Sequence, residues 1–262
     1  MSGEEAGTSC CCASCGKAEV DDVKLKDCDE CNLVRYCGDE CQRDHRSEHK
    51  EECKKRAAEL RDELLFKQPE GSCYGDCPIC CLPLSLVQSE SSFKVCCSKL
   101  ICNGCMYANQ KREIEMKLQV SCPFCRKATP KTKKECERRN MQRAKANDPL
   151  AMHQKGVEDY EEGDYRSAFE YYAKAAELGD VNAHHSLSKM YQFGKGVEKD
   201  ERKRIYHLEE AAIAGHADAR CDLGRIELND KYYSNFERAM NHFIIAAKQG
   251  HVDSMKFLTW PR

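Results

Sequence analysis

Apolar positions along this chain follow two regimes. Over residues 147–262 they recur at a fixed period. The phrase Ala175-Ala176-Glu177-Leu178-Gly179-Asp180 returns as Ala211-Ala212-Ile213-Ala214-Gly215-His216 and as Ala246-Ala247-Lys248-Gln249-Gly250-His251, at periods of 36 and 35 residues. Such a period marks a stacked-repeat array, in which each unit buries its apolar face against its neighbours. Each phrase closes a helix, with its Gly placed for a left-handed C-cap, and two helices fit between phrases. In the middle unit they are predicted over 182–193 and 200–214, joined through Gly194-Lys195-Gly196-Val197. Asp148-Pro149 starts the first unit. Tyr172, Leu208 and Phe243 share one repeated position and belong to the core, while Tyr165, Tyr171 and Tyr191 read as packing between repeats. Residues 253–260 read as the first helix of a fourth, shortened unit that caps the array.

Before residue 147 the apolar pattern thins out. Ala57, Leu60, Leu64 and Leu65 recur at helical spacing and predict a linker helix within 54–76 that continues from the cysteine-rich stretch before it, ended by Pro69, Gly71 and Gly75, with the leucines as its packing face. Residues 106–119, with Ile114, Met116 and Leu118, and the polar stretch 131–146 read as two more helices. No apolar run approaches the roughly 20 residues that span a bilayer.

Cysteine takes the place of the missing apolar residues. The 262-residue chain has 21, and all but Cys136 and Cys221 precede residue 126. The start Met1-Ser2-Gly3-Glu4-Glu5 is polar and acidic, unlike a secretory leader. A reducing compartment is therefore expected, cytoplasmic with the nucleus as the alternative, where grouped cysteines mean metal rather than disulfides. The formal net charge of −2 gives no general attraction for nucleic acid. Lys133-Lys134 with Arg138-Arg139 could serve nuclear import or an RNA contact, but Glu135 and Glu137 dilute the cluster, and a solvated connecting helix over 127–146 is the plainer reading.

Two blocks each supply eight candidate ligands, enough for two tetrahedral zinc ions apiece and about four in all. One block pairs Cys12 with Cys15, Cys28 with Cys31, Cys37 with Cys41, and His49 with Cys53; the last two pairs have helical spacing. The other pairs Cys77 with Cys80, Cys96 with Cys97, Cys102 with Cys105, and Cys122 with Cys125. Cys10 and Cys11 lie close enough to exchange with Cys12, within an N-terminal stretch, 1–11, that reads as disordered. Cys81 is spare. His45 falls on no ligand position. Adjacent cysteines hold one metal only with backbone adjustment, so Cys96 or another group closes its site.

Residues 12–53, with Cys-Gly-Lys after the first pair, Tyr-Cys-x-x-x-Cys-Gln in the middle and His-Lys-x-x-Cys at the end, resemble a MYND zinc finger. The resemblance implies interleaved sites: Cys12, Cys15, Cys37 and Cys41 on one zinc, and Cys28, Cys31, His49 and Cys53 on the other. MYND fingers commonly bind proline-containing peptides through a glutamine, here Gln42, and a tryptophan whose position holds Arg46. Loss of that aromatic platform weakens the expectation of peptide binding.

Residues 77–126, with Cys-Pro-Ile-Cys, Ile-Cys-x-Gly-Cys and Cys-Pro-Phe-Cys-Arg, resemble a RING domain. The implied cross-brace places Cys77, Cys80, Cys102 and Cys105 on one zinc, and Cys96, Cys97, Cys122 and Cys125 on the other. Lys99 stands where the common pattern has a histidine ligand; the all-cysteine variant of the family accommodates that. The resemblance assigns contacts with a ubiquitin-conjugating enzyme and ubiquitin to Ile79, Pro123 and Arg126. A tryptophan frequent in the family is absent, the only one in the chain being Trp260. The period, the Ala-Ala-x-x-Gly-His phrase and the Gly-Lys-Gly-Val loop of 147–251 resemble the Sel-like repeat, which presents surfaces to partner proteins.

The expected architecture is multidomain: two small zinc-stabilised α+β modules followed by an all-α helical-repeat solenoid. No catalytic constellation is visible, and His184, His185, His207 and His242 read as surface or packing residues. The function expected is that of a RING-type ubiquitin ligase. It would position a charged conjugating enzyme while the repeats recruit a protein substrate. The alternative is a non-catalytic zinc-finger and repeat adaptor; nucleic acid and membrane are not expected partners.

Overall fold

A computed structural model describes residues 11–20, 22–229 and 235–259. Of the stretch 1–11 expected to be disordered, 1–10 lies outside them, as does Trp260, while Cys11 forms a β-bridge with Ala18. The chain forms two compact units, one up to Lys67 and one from Gln68 onward.

The first unit holds the first cysteine block. A two-stranded antiparallel ribbon, β1 (Lys26–Asp27) against β2 (Arg35–Tyr36), pairs Lys26 with Tyr36 and Asp27 with Arg35. Helix α1 (Asp39–Phe66) then runs for 28 residues. As the sequence leads one to expect, the linker helix continues from the finger: one helix begins inside the finger and ends at Phe66, and it carries Cys41, His49 and Cys53. The expected leucine face is partial: Leu65 is buried, but Leu64 is 54% exposed. Apart from cysteines, the buried apolar cluster of this finger contains only Leu25 and Tyr36.

The second unit opens with the second cysteine block. Strands β3 (Ser91–Lys94) and β4 (Lys99–Cys102) form an antiparallel hairpin with Phe93 opposite Leu100. Helix α2 (Asn103–Glu115) follows directly and ends before Met116 and Leu118, which are exposed. Helix α3 (Lys133–Lys145) starts on Thr132, whose side chain accepts from the Glu135 N–H.

The repeats follow as helix pairs: α4 (Pro149–Glu162) with α5 (Tyr165–Glu177), α6 (Val181–Phe193) with α7 (Glu201–Ile213), and α8 (Ala217–Asn229) with α9 (Phe236–Lys248); α10 (Val252–Thr259) ends the stack. Tyr172, Leu208 and Phe243 are all buried, as are Ala175, Ala211 and Ala246.

The recurring phrase is a corner that ends one helix and starts the next. Gly179, Gly215 and Gly250 have φ of 87°, 90° and 93°. At each corner the glycine N–H and the following N–H turn back onto carbonyls of the closing helix, as in Gly215 to Ala212 at 3.1 Å and His216 to Ala211 at 2.9 Å. The residue after the glycine then caps the next helix: Asp180 accepts from the Ala183 N–H at 2.7 Å, and the His216 and His251 Nδ1 atoms accept from Ala219 and Ser254 at 3.3 and 3.2 Å. Asp and His alternate at this place because each offers an acceptor at similar reach.

Within this unit the finger is tied to the repeats. The Arg143 Nε donates to the Ser98 Oγ at 2.5 Å, and its guanidinium also grips Asp148, the cap of α4. Ahead of the finger, the Cys73 N–H donates to the Gly215 carbonyl at 3.3 Å, and the Gln249 Nε2 reaches the carbonyls of Gly71 and Gly215 at 3.2 and 3.0 Å.

Candidate metal centres

Four C-x-x-C turns in the chain share one backbone plan. In each, the N–H of the residue after the second cysteine returns to the carbonyl of the first: Gly16 to Cys12, Asn32 to Cys28, Cys81 to Cys77 and Arg126 to Cys122, all at 2.9–3.0 Å. That residue has positive φ in every case, between 54° and 72°. Gly and Asn suit the left-handed region; Cys81 and Arg126 occupy it at a cost of order 1–2 kcal/mol. The spare cysteine is thereby explained. Cys81 stands at the turn's exit, exposed, and belongs to none of the ligand groups.

These turns also prepare one thiolate each. Burial raises the thiols of Cys12, Cys28, Cys77 and Cys122, but backbone N–H donors of the turn more than offset it. All four fall below the usual thiol range, Cys12 and Cys77 to about 6. Several of their partner thiols shift the other way. Burial and neighbouring thiols push Cys53 and Cys105 up to about 12 and Cys97 to about 11. Crowded thiols resist becoming crowded thiolates unless a cation sits among them.

Side-chain positions bring the ligands together in four sets: Cys12, Cys15, Cys37 and Cys41; Cys28, Cys31, His49 and Cys53; Cys77, Cys80, Cys102 and Cys105; Cys96, Cys97, Cys122 and Cys125. Within each set the donor atoms all lie within 4.8 Å of one another. Zinc–sulfur bonds of about 2.3 Å imply sulfur–sulfur edges of about 3.8 Å in a tetrahedron. Cys15 lies 3.6 Å from Cys37, Cys28 lies 3.8 Å from Cys53, Cys80 lies 3.8 Å from Cys102, and Cys97 lies 3.9 Å from Cys122. The donor sets fit zinc in spacing and chemistry.

Cys96 and Cys97 both join the fourth set, because they sit in the hairpin turn between β3 and β4. The Cys97 and Ser98 N–H groups fold back to Lys94 at 3.1 and 2.8 Å, and Cys96 comes within 3.4 Å of Cys125. Lys99 begins β4, exposed, and is in no set. His45 is likewise outside the sets but packs on one: its ring stacks on His49 at 5.8 Å, and its Nδ1 lies 3.1 Å from the Tyr36 hydroxyl. Its spacing of four residues from His49 on α1 was the signal for that support.

Around the first finger a cavity of about 330 Å³ is lined by Gln42, Arg46 and Tyr36 among others, with Arg46 placed 3.8 Å from Glu30. Around the second, the three expected contact residues differ in presentation. Ile79 is 41% exposed. Pro123 is buried, so it packs the finger and is not presented. Arg126 is exposed, but its Nη1 donates to the Asn109 Oδ1 at 2.9 Å. Asn109 in turn donates to the Ser121 carbonyl, and buried Glu113 accepts from the Ser121 N–H and hydroxyl at 3.0 and 2.7 Å. Sequence reasoning missed this network, since nothing in the spacing of Asn109 and Glu113 links them to residue 121.

The histidines of the repeats are not all plain packing residues. His185 lies 3.4 Å from Asp222, which also receives Lys189 at 2.5 Å. The expectation that these are surface or packing residues is corrected for His185, which has a carboxylate partner. Asp222 is on the following unit, and no sequence period predicted that pairing.

Residues 12–53 match the family model of the MYND finger, and 151–180, 181–216 and 217–251 match that of the Sel1 repeat. No curated protein matches the chain. Among solved structures it is similar to a Sel1 repeat protein from Oxalobacter formigenes, with 22% identity and a TM-score of 0.46, over 60% of this chain and 61% of that one. It is also similar to c5321, a protective antigen of uropathogenic Escherichia coli displaying an SLR fold, with 23% identity and a TM-score of 0.43, over 47% of this chain and 27% of that one. The chain therefore spans under two thirds of either protein. Among the described residues no helix is long and apolar enough to cross a membrane. This chain carries a MYND finger and a run of Sel1 repeats.

Proposed function

We infer that this protein is a RING-type ubiquitin ligase in which each of the four ligand sets holds one zinc. A finger of this kind does no covalent chemistry; it holds a ubiquitin-charged conjugating enzyme in reactive geometry. The observation that carries the reading is the cross-braced pairing of residues 77–125, first pair with third and second with fourth. Support comes from Ile79 and Phe124, at the same place in two Cys-Pro-x-Cys turns and 41% and 44% exposed. Such apolar side chains suit contact with an enzyme surface. The repeats would recruit the protein to be modified.

A second reading has its own support. Zinc fingers joined to Sel1 repeats form the architecture of a protein-interaction adaptor. The burial of Pro123 and the Arg126–Asn109 bond favour a finger that scaffolds without activating ubiquitin. Discharge of ubiquitin from a panel of charged conjugating enzymes onto free lysine separates the two. Acceleration that Ile79→Ala and Arg126→Ala both abolish supports the ligase. No acceleration across the panel, with close to four zinc ions per chain by metal analysis, leaves the adaptor. Far fewer zinc ions would overturn the metal assignment itself.

A further inference from the structure

Where the second finger meets α3 and the start of α4, a cavity of about 890 Å³ opens within the second unit. Its lining carries five cationic side chains, Lys99, Lys127, Arg138, Arg139 and Arg143, against one carboxylate, Asp148. In a chain with formal net charge −2 this is a local departure. The cations divide into two groups. Arg143 is held by Ser98 and Asp148; Arg139 is held by the Ala128 carbonyl at 2.6 Å and Glu135 at 2.5 Å. These two brace the walls. Lys99, Lys127 and Arg138 are exposed and make no ion pair among the described residues. The N-terminus of α4, with Pro149 and Leu150 in the lining, adds the positive end of a helix dipole.

We propose that this cavity is a docking groove for an acidic peptide segment of a partner protein, read by Lys99, Lys127 and Arg138. A groove of complementary charge whose fixed walls spare the ordering cost of binding is the expected form of such a site. The lining contains Val95, Ala128, Ala146, Pro149 and Leu150 for the apolar parts of a peptide, and no aromatic ring on which a base could stack. The absence of a stacking platform favours a peptide over single-stranded nucleic acid. The groove rests on the protein-interaction reading of the chain and is independent of ligase activity.

One local alternative has to be distinguished. Cys96 and Cys97 also line the cavity, and a zinc held by four thiolates carries net negative charge that nearby cations would offset. The test uses full-length, zinc-loaded protein and a fluorescein-labelled ten-residue peptide of alternating Glu and Ser, with the Gln-for-Glu peptide as control. Anisotropy is read at low and at physiological salt. The wild type is expected to bind the acidic peptide and not the neutral one, with affinity falling as salt rises. The triple variant Lys99→Gln, Lys127→Gln, Arg138→Gln is expected to lose at least tenfold in affinity with zinc content unchanged. Because the three side chains are exposed, folding should survive the change; Lys133→Gln, outside the lining, controls for general charge. Equal binding by the triple variant would overturn the proposal. So would loss of binding only together with loss of zinc, which would assign the cations to the metal centre. Preference for an oligonucleotide of matched charge would overturn it in favour of nucleic acid.

Discussion

The two fingers hold the same number of candidate ligands in the same interleaved pairing, yet they are built into the chain differently. The MYND finger has a ribbon of two-residue strands, and its buried cluster is cysteine plus Leu25 and Tyr36. Its second and third ligand pairs lead into a long helix that carries three of the eight ligands. The second finger has a four-residue hairpin, its buried cluster adds Leu84 and Ile101, and it is hydrogen-bonded into the repeats through Ser98 and Arg143. Each cluster holds two apolar residues besides cysteine, so the difference lies in the second support: a long helix of its own in one finger, hydrogen bonds to the neighbouring repeats in the other.

Metal removal gives the largest effect. Each structural zinc supplies an apparent folding free energy of about 10–16 kcal/mol in small zinc domains. Against that, a cluster of two apolar residues offers only a few kcal/mol. Chelation of the full chain is expected to abolish hydrogen-exchange protection over residues 12–53 and 77–125 while protection in α6 to α9 persists. Loss of protection throughout the repeats at the same chelator concentration would break the division between metal-built and core-built regions.

Removing one ligand at a time sharpens the contrast between the fingers. Cys53→Ser is expected to release one zinc and raise exchange across residues 12–53. Cys122→Ser is expected to release one zinc and also raise exchange in α3 and the first turns of α4, because Ser98 then no longer holds Arg143 at the cap of α4. The lost charge-assisted bonds amount to about 1.5–3 kcal/mol. Unchanged exchange in α3 and α4 would show that the tie to the repeats carries no stability.

Much of this was legible because ligand spacing and repeat period are short-range signals. A C-x-x-C turn reports its own geometry, and a 36-residue period reports its own helix corners. The fold class follows from those two signals. What escaped is long-range. The Asn109, Glu113 and Ser121 network joins a helix to a turn with no periodic relation, and Asp222 meets His185 across 37 residues. The contact role of Pro123 came from the resemblance of its motif alone, whereas its burial follows from how residues 121–128 close over the finger. The course of α1, by contrast, was legible, because the helical spacing of His49 and Cys53 runs on into Ala57, Leu60 and Leu64.

Acid tests the repeats apart from the zinc centres. Burial, with added repulsion from neighbouring cations in most cases, pushes His153 and His207 down to about 4, and His216 and His242 to about 3. Each is neutral in the fold, and the unfolded chain binds the extra proton between pH 6.5 and those values. Stability of the array therefore falls as pH drops through that window. Burial raises Asp180 to about 6, which acts in the opposite direction. The Asp218 carboxylate raises His251 to about 9, and that contribution, full below pH 6.5, is lost only as pH rises toward 9. His216→Asn keeps an acceptor for the Ala219 N–H but cannot titrate. It is expected to reduce the loss between pH 7.5 and pH 5 by about 2 kcal/mol, read by exchange in α7 and α8. An unchanged pH slope would remove His216 as a source of acid sensitivity.

The finest comparison lies between two glycines that the repeat pattern makes equivalent and the structure does not. Gly215 and Gly250 both close a helix at φ near +90°. A Cβ at either position strains the backbone by about 1–2 kcal/mol. At Gly250 nothing else lies within 4 Å, whereas at Gly215 the new Cβ would come within 2.8 Å of the Gly71 carbonyl oxygen. The stretch from Gly71 to Cys73, which leads into the second finger, is hydrogen-bonded at this corner. Gly215→Ala must displace that backbone or distort the corner, adding about 1–3 kcal/mol of overpacking cost. Gly250→Ala should lower stability by the smaller amount alone. Exchange at the Cys73 amide distinguishes the two routes: faster in Gly215→Ala means the leading segment gives way, and unchanged exchange with a larger loss of stability means the corner does. Equal losses from both variants would show that the contact between this segment and the repeat corner adds nothing to how the second finger is held.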